Sequence, residues 1–150
     1  MEGFMFITTP ENWEKLINNQ LGGWPIKDIY KKSANKLQPG DKVLVYLSKK
    51  STVVAILEIV ENVKIPRNNI LFNDEYYHYY LPYRIHTKLT KDKEIYIKDL
   101  LSELTLTKGK KRWGTTLQKS VVTLVEEDYL LLLSKVEGNL KSIKEKHFTV

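Results

Sequence analysis

The chain has 150 residues, of which 42% are hydrophobic and 28% are charged, a composition typical of one soluble globular domain with a buried core. It contains no cysteine, which excludes disulfides, thiolate metal ligands and cysteine catalysis. Lysine and arginine number 24 against 18 acidic residues, and the net charge of +6 favours a polyanionic partner such as nucleic acid.

No membrane span or secretion signal is expected. No stretch of the sequence approaches the roughly 18 uncharged apolar residues that a transmembrane helix needs. The first residues, MEGFMFITTP, lack the basic start and the long apolar stretch of a signal peptide. We therefore expect a soluble, cytoplasmic protein that forms a single domain over residues 1–150 and has no membrane partner.

The first third of the chain predicts a strand, a helix and a loop. Phe4–Thr8 is short, apolar and aromatic, as in a buried strand. Thr9–Asn12 suits a helix start, with a capping threonine and a proline in the first turn. The helix is expected to end near Asn18-Asn19, and residues 20–36 are predicted as a loop with at most one helical turn. The apolar face of this helix consists of Trp13, Leu16 and Ile17.

The middle of the chain predicts a β-hairpin followed by further strands. Lys42–Leu47 and Thr52–Val60 are rich in β-branched and apolar residues and are separated by a short polar connection, which indicates an antiparallel hairpin. Residues 61–75 are predicted to be irregular. Tyr83–Leu89 alternates between apolar and polar residues, as a half-exposed strand does.

The last third mixes short elements with a final helix. Residues 96–104 contain a short helical pattern, Lys108–Lys119 is a basic loop, and Ser120–Val122 suits a short strand. This order of elements predicts a mixed α+β domain with a curled antiparallel sheet or a small barrel.

The final helix is predicted to start near Glu126. Thr123 and Glu126 have the spacing of a capping box, and Gly138 is placed where a helix would end. The basic segment 139–150 is expected to be a frayed tail. The buried face is predicted to consist of Tyr129, Leu132, Leu133 and Val136.

The sequence carries no recognisable catalytic or metal-binding motif. Its histidines, His78, His86 and His147, lack metal-ligand spacing, and no nucleophile elbow, P-loop or dinucleotide fingerprint is present. The acidic group Glu126–Asp128 is typical of the first turn of a helix. We therefore expect no catalytic residue, no metal and no cofactor.

The basic loop is a candidate nucleic-acid contact. Its KGKKRWG stretch contains Lys108, Lys110, Lys111 and Arg112, followed by Trp113. Lysine and arginine contact phosphates, and an aromatic ring can stack on a base. The same pattern also fits a solvated loop, with Trp113 anchored on the core.

Aromatic residues offer two further candidate contact surfaces. Trp24 lies between Gly22-Gly23 and Pro25, which can hold its ring in one orientation. The indole is therefore either a core plug or a platform for a flat, methylated group. The tyrosines of Tyr76–Tyr83 could also stack on a ligand, but tyrosine is common in strands, where alternation turns about half of the side chains inward.

The ordered combination of motifs resembles the EVE domain family, which belongs to the PUA-like superfamily and is related to the YTH domains. The resemblance covers about residues 4–136 and is carried, in chain order, by FITTPENW, GWP, LQPGDKV, ILEI, PYRI, KKRWG and EEDY. It implies a mainly antiparallel β-barrel of about five or six strands flanked by short helices, with a pocket beside the first strand and first helix. YTH domains flip N6-methyladenine of RNA into an aromatic cage, and EVE-like domains are thought to read modified bases such as 5-methylcytosine, often in DNA.

The resemblance also implies roles for individual residues. Trp24 matches a tryptophan wall of the YTH cage, Asn12 matches an asparagine that hydrogen-bonds the base edge, and Thr8 lies in the segment of the pocket floor. The remaining implied pocket residues are Pro25, Leu47, Ser48 and Tyr83. The implied phosphate contacts are Arg84, Lys108, Lys110, Lys111 and Arg112.

The sequence departs from the YTH pattern in three ways. The segment from Asn12 to Trp24 is longer, and Pro25 replaces a small hydroxyl residue that bonds the base. A second cage tryptophan is not evident, and a tyrosine from residues 76–83 could take its place.

Together these features predict a non-catalytic module that binds RNA or DNA and recognises a methylated base flipped into an aromatic pocket. One alternative is an RNA hydrolase of the ASCH type on the same fold, with Lys42, Glu58 and Arg84 as loose candidates for its polar set. Another is a protein-interaction module whose basic surface meets an acidic partner.

Overall fold

The computed structural model describes residues 3–18 and 23–148, with the backbone alone for residues 139–148. The strands are β1 (Gly3–Thr8), β2 (Trp24–Ile26), β3 (Lys42–Leu47), β4 (Thr52–Ile59), β5 (Ile70–Phe72), β6 (Glu75–Tyr77), β7 (Tyr79–Leu81), β8 (Tyr83–Lys88), β9 (Ile95–Tyr96) and β10 (Val121–Leu124). The α-helices are α1 (Pro10–Ile17), α2 (Lys31–Asn35), α3 (Trp113–Thr116) and α4 (Glu126–Phe148). Short 3-10 helices lie at Asp28–Tyr30, Lys91–Lys93 and Ile97–Leu100.

A six-stranded mixed sheet forms the centre of the described structure. Its strands follow the order β10-β1-β3-β4-β8, and β9 pairs with β4 beside that path. β1 and β3 are parallel, with Thr8 opposite Leu47, whereas the other pairs in this sheet are antiparallel. The predicted β3–β4 hairpin is therefore present. β1 pairs with its β3 side and β8 pairs with its β4 side.

Apolar clusters cover both faces of this sheet. Successive side chains of a strand point to opposite faces. Phe4 and Phe6 pack with α1 and β2, whereas Met5 and Ile7 pack with α4. Because both faces of β1, β3 and β4 are buried, these strands are nearly continuous apolar runs in the sequence.

The α+β class and the size of the sheet are confirmed, but the predicted closed barrel is wrong. β10 and β8 stand at the two ends of the strand order. β2 with β7, and β5 with β6, form separate two-stranded ribbons and do not join those ends. The sheet therefore stays open, and the parallel β1–β3 pair makes it mixed.

Two segments predicted as irregular contain short strands. Trp24 lies in β2, opposite Leu81 of β7, and not in a loop. Residues 61–75 include β5, which pairs with β6 across Asn73 and Asp74, two residues in the left-handed region at φ 54° and 61°. Strands of three residues are too short to show a local pattern, and pairing with distant partners defines them. Gly22 and the expected helix end at Asn19 lie outside the described residues.

The last helix is longer than predicted. α4 continues past Gly138 to Phe148, so most of segment 139–150 is helical and its last two residues lie outside the described range. A Cβ at Gly138 would meet nothing within 4 Å, and an exposed glycine only weakens a helix, by about 1 kcal/mol. Thr123 is part of β10 and does not cap α4. Within the described ranges, no helix combines the length and apolarity needed to cross a membrane.

One residue of the acidic group at the start of α4 has a structural role that sequence reasoning missed. The Asp128 side chain is buried, at 2% exposure. Its Oδ1 accepts the Thr105 N–H at 2.8 Å and its Oδ2 accepts the Leu106 N–H at 2.9 Å. The carboxylate therefore fixes the segment that leads into the basic loop.

We expect Asp128→Asn to lower the free energy of unfolding by about 2–3 kcal/mol, because an amide can accept only one of the two buried N–H bonds. Urea denaturation followed by circular dichroism measures this loss. Glu127→Gln is the matched control, since it removes the same charge from the same helical turn at an exposed position, and we expect it to cost about 0.5 kcal/mol or less. Equal losses in the two variants would contradict the role assigned to Asp128.

Candidate functional site

A cavity of about 540 Å³ opens where β1 and β3 end. Because the two strands are parallel, their carboxyl ends meet at one edge of the sheet, which is a common place for ligand sites. The Thr8 carbonyl joins the ends: it accepts the Ser48 N–H at 2.9 Å and the Ser48 hydroxyl at 3.3 Å. Both residues line the cavity.

The walls of the cavity are rich in aromatic side chains. They come from separate elements: β2, β3, the β5–β6 hairpin and α3. The aromatic residues that line it are Trp24, Tyr46, Phe72, Tyr77 and Trp113. A cavity of this volume and composition suits a flat small-molecule group, such as a single nucleobase.

Trp24 is both a core residue and a cavity wall. Its side chain is only 4% exposed. Its ring centroid lies 5.0 Å from that of Phe6, 6.3 Å from that of Trp13 and 6.0 Å from that of Tyr83. The two roles considered for Trp24, core plug and ligand platform, therefore do not exclude each other, because one ring fills the core and also borders the cavity.

The residues around Trp24 explain how it is held. Pro25 is buried and also lines the cavity. A Cβ at Gly23 would lie 2.7 Å from the Leu81 carbonyl oxygen, so glycine permits the close approach of β2 to β7.

Two predicted pocket residues do not line the cavity. Leu47 faces a second cavity on the other side of α1, beside Trp13 and Leu89. Tyr83 is buried behind Trp24 and donates its hydroxyl hydrogen bond to the Leu16 carbonyl. Burial raises the pKa of Tyr83 to about 12. Both residues belong to the core that supports the cavity from behind.

Asn12 lines the cavity, and its amide is engaged by the β5–β6 hairpin. The Thr9 hydroxyl caps α1 by accepting the Asn12 N–H at 3.2 Å. The Asn12 Oδ1 accepts a 2.7 Å bond from the Asn73 Nδ2, and the Asn73 Oδ1 accepts a 3.4 Å bond from Lys15. These bonds hold the tip of the hairpin against α1, at the cavity.

The β5–β6 hairpin supplies a wall of the cavity: Tyr77 belongs to the range of candidate tyrosines, whereas Phe72 and Glu75 were not expected there. The Tyr77 hydroxyl donates to Glu75 Oε2 at 3.1 Å, and Lys27 Nζ lies 3.7 Å from the same oxygen. Burial, followed by the hydrogen bond to Glu75, raises the pKa of Tyr77 to about 12. Tyr77 therefore remains a neutral donor at physiological pH. A local signal for the hairpin was present in Asn73-Asp74, a turn pair that tolerates left-handed backbone.

The predicted phosphate contacts occupy two different places. Lys108, Lys110, Lys111 and Arg112 are exposed and do not line the cavity. These four residues directly precede Trp113 in the sequence, and Trp113 does line the cavity. Three other lysines do line the cavity: Lys119, from the end of the basic loop, and Lys27 and Lys49, from other segments.

Arg84, the remaining predicted phosphate contact, does not line the cavity. It forms an ion pair with Glu58 across β8 and β4, and Lys42 lies opposite Glu58 on β3. The three residues proposed for an enzyme are thus neighbours on the sheet, but none of them lines the cavity. In the part of the chain that the structure describes, no group of three or more histidine, aspartate and glutamate side chains could hold a metal ion.

Comparison with known proteins identifies a family and a fold. The family model of the EVE domain matches residues 3–135. A UPF0310 protein of Pyrococcus horikoshii is 30% identical over 142 residues, which cover 88% of this chain and 97% of that protein.

Solved structures share the fold at low sequence identity. Protein Atu2648 of Agrobacterium tumefaciens has a TM-score of 0.62 at 17% identity and covers 93% of each chain. The YTH domain of Zygosaccharomyces rouxii MRB1, solved in complex with N6-methyladenosine RNA, has a TM-score of 0.59 at 10% identity, covering 89% of this chain and 86% of that one. These likenesses establish the YTH-like fold.

We expect Trp24→Ala to lower the free energy of unfolding by about 3–5 kcal/mol, because it removes a large ring from the centre of a packed aromatic cluster. Chemical denaturation measures this cost. A loss below about 1 kcal/mol, as at a surface position, would show that the ring does not act as a core residue. Trp24→Phe keeps an aromatic ring and is expected to cost less, which makes it the better variant for binding experiments.

Proposed function

The chain belongs to the EVE domain family, and from this premise we propose that it is a nucleic-acid-binding module that takes one base, flipped out of its strand, into the cavity at the ends of β1 and β3. The observation that carries the proposal is a cavity walled by aromatic rings beside an exposed basic loop. The fold shared with a YTH domain solved in complex with N6-methyladenosine RNA supports it.

The aromatic walls suit a flat base. Stacking on an aromatic ring contributes about 1–3 kcal/mol per base, which offsets much of the few kcal/mol needed to unstack a nucleotide. Trp24 is fixed by its core contacts and Tyr77 by its bond to Glu75. These rings are thus held in place before the ligand arrives, which limits the entropy lost on binding.

Polar groups at the cavity floor suit the edge of a base. The Asn12 Oδ1 is engaged by Asn73, whereas its Nδ2 has no hydrogen-bond partner among the described residues and remains a donor. The Ser48 hydroxyl donates to Thr8 and keeps lone pairs that can accept. A donor and an acceptor that line the same cavity are suited to hydrogen-bonding a base rather than a purely apolar ligand.

The base is proposed to carry a methyl group. A methyl group placed between aromatic walls gains about 0.8 kcal/mol from burial. Pro25 contributes an apolar surface at the cavity, where a hydroxyl residue would instead favour a polar edge. The lysines and the arginine of segment 108–112, together with Lys119, are proposed to hold the flanking phosphates.

Trp24→Phe is expected to weaken binding to oligonucleotides that carry one N6-methyladenine or 5-methylcytosine by roughly 2- to 10-fold, because the smaller ring keeps only part of a stacking contact whose complete loss costs about 1–3 kcal/mol. Fluorescence anisotropy with methylated and unmethylated oligonucleotides of one sequence, both as RNA and as DNA, measures the effect. Methyl preference is expected to fall along with affinity.

Trp13→Phe is the matched control for this experiment. Trp13 is also 4% exposed and packs in the same aromatic cluster, but it does not line the cavity. We expect both variants to lose similar stability and only Trp24→Phe to lose binding. If both lost binding equally, the cavity assignment would fail.

The basic loop leads to a separate expectation. Replacing both Lys110 and Lys111 by alanine should weaken binding to every oligonucleotide and reduce the slope of log affinity against log salt by about 1.4–1.8, the value for two lost phosphate contacts. In the control variant, alanine replaces Lys88 and Lys91, which border the second cavity. This variant is expected to leave the slope unchanged. An unaltered slope in the Lys110/Lys111 variant would remove this loop from the interface.

A further inference from the structure

Glu75 is the one acidic side chain among the described residues that line the cavity. Three lysines line the same cavity, namely Lys27, Lys49 and Lys119. A carboxylate at a site for a polyanion opposes phosphate binding by charge repulsion. We therefore ask which group of a ligand the Glu75 carboxylate could contact that a neutral side chain could not.

The two oxygens of the Glu75 carboxylate differ in their surroundings. The Tyr77 hydroxyl and the Lys27 ammonium group both approach Oε2, at 3.1 Å and 3.7 Å. Oε1 has no hydrogen-bond or ion-pair partner within the described ranges of the chain. The side chain is 59% exposed and lines the cavity, while the bond to Oε2 keeps the carboxylate beside the Tyr77 hydroxyl.

The backbone around Glu75 is also fixed. The residue begins β6, directly after the left-handed Asn73-Asp74 turn, and Asn73 is bonded to Asn12 of α1. A base that stacks on Tyr77 would therefore place its edge near an acceptor whose position is set by three contacts.

An ionised carboxylate is an acceptor only. It bonds to the exocyclic amino group of cytosine or adenine and repels the carbonyl oxygen that uracil or hypoxanthine carries at the same ring position. An amino group that bears one methyl still retains one N–H, so methylation at that nitrogen is compatible with the contact.

We propose that Glu75 determines base specificity: its Oε1 accepts a hydrogen bond from the exocyclic amino group at position 4 of a pyrimidine or position 6 of a purine, so the cavity selects amino bases over their keto counterparts. This inference rests on the proposed function, which it deepens by naming the chemical class of base.

The test uses oligonucleotides that differ only at one central base. The pairs are cytosine against uracil and adenine against hypoxanthine, which exchange one amino group for one carbonyl. The wild-type chain is expected to bind the amino member roughly 5- to 100-fold more tightly, the range of a good base contact. In Glu75→Gln the ratio should fall towards one, because an amide can accept from an amino group and also donate to a carbonyl.

Glu11→Gln is the matched control. Glu11 is exposed and is paired with a cavity-lining lysine, Lys49, at 3.4 Å, but it does not line the cavity itself. The exchange removes the same charge from a residue that, like Glu75, is paired with a cavity-lining lysine. We expect this variant to change affinity for all oligonucleotides alike and to keep the wild-type ratio within each pair.

The outcomes separate this inference from the proposed function. Wild-type binding that requires Trp24 but shows the same ratio in Glu75→Gln would overturn the role of Glu75 and leave base binding intact. Loss of the ratio in both glutamine variants would assign the preference to net charge and also overturn it. If the wild-type chain bound none of the oligonucleotides, the proposed function itself would fail. Circular dichroism confirms that each variant is folded.

Discussion

The parallel pairing of β1 with β3 is the constraint on which the rest of the site depends. It brings together Thr8 and Ser48, which lie 40 positions apart in the chain, and the Thr8 carbonyl accepts two bonds from Ser48. A parallel pair needs a long crossover connection, and here that crossover contains α1, β2 and α2. The connection therefore has to pass over one face of the sheet, where it places Asn12 and Trp24 beside the strand ends. The cavity is thus a consequence of the chain path and not of any single loop.

Local patterns in the sequence predict the elements whose burial is periodic or continuous. β1, α1 and the β3–β4 hairpin are such elements, because each has an apolar face or run long enough to be recognised. The short strands β2, β5 and β6 have no comparable signal. Their conformation depends on partners such as Leu81 for Trp24, which local sequence cannot identify. The open sheet was missed for a related reason, since strand order and closure are set by long-range pairing.

The candidate site was predictable where it follows recognisable motifs. Thr8 and Asn12 lie in FITTPENW, and the resemblance places them beside the pocket, where the cavity is found. The alternation of side chains along a strand defines two faces but does not show which face borders a cavity. Leu47 was therefore predicted as a pocket residue, although it lies on the face away from the cavity. A tyrosine from residues 76–83 was a candidate for the second wall, and Tyr77 of that range lines the cavity. Glu75 was missed because its position depends on the hairpin bond between Asn73 and Asn12.

The cavity has walls of two kinds, and this division bears on how specificity can arise. Trp24 and Pro25 are buried and carry part of the core packing, so an exchange at either position costs stability as well as binding. The β5–β6 hairpin is a separate two-stranded ribbon with exposed side chains, and surface exchanges there have small effects on stability. In the proposed function, the rigid wall would contribute stacking, which every base can offer. On the same proposal, discrimination between bases would depend on the hairpin, where side chains such as Glu75 can differ without loss of the fold.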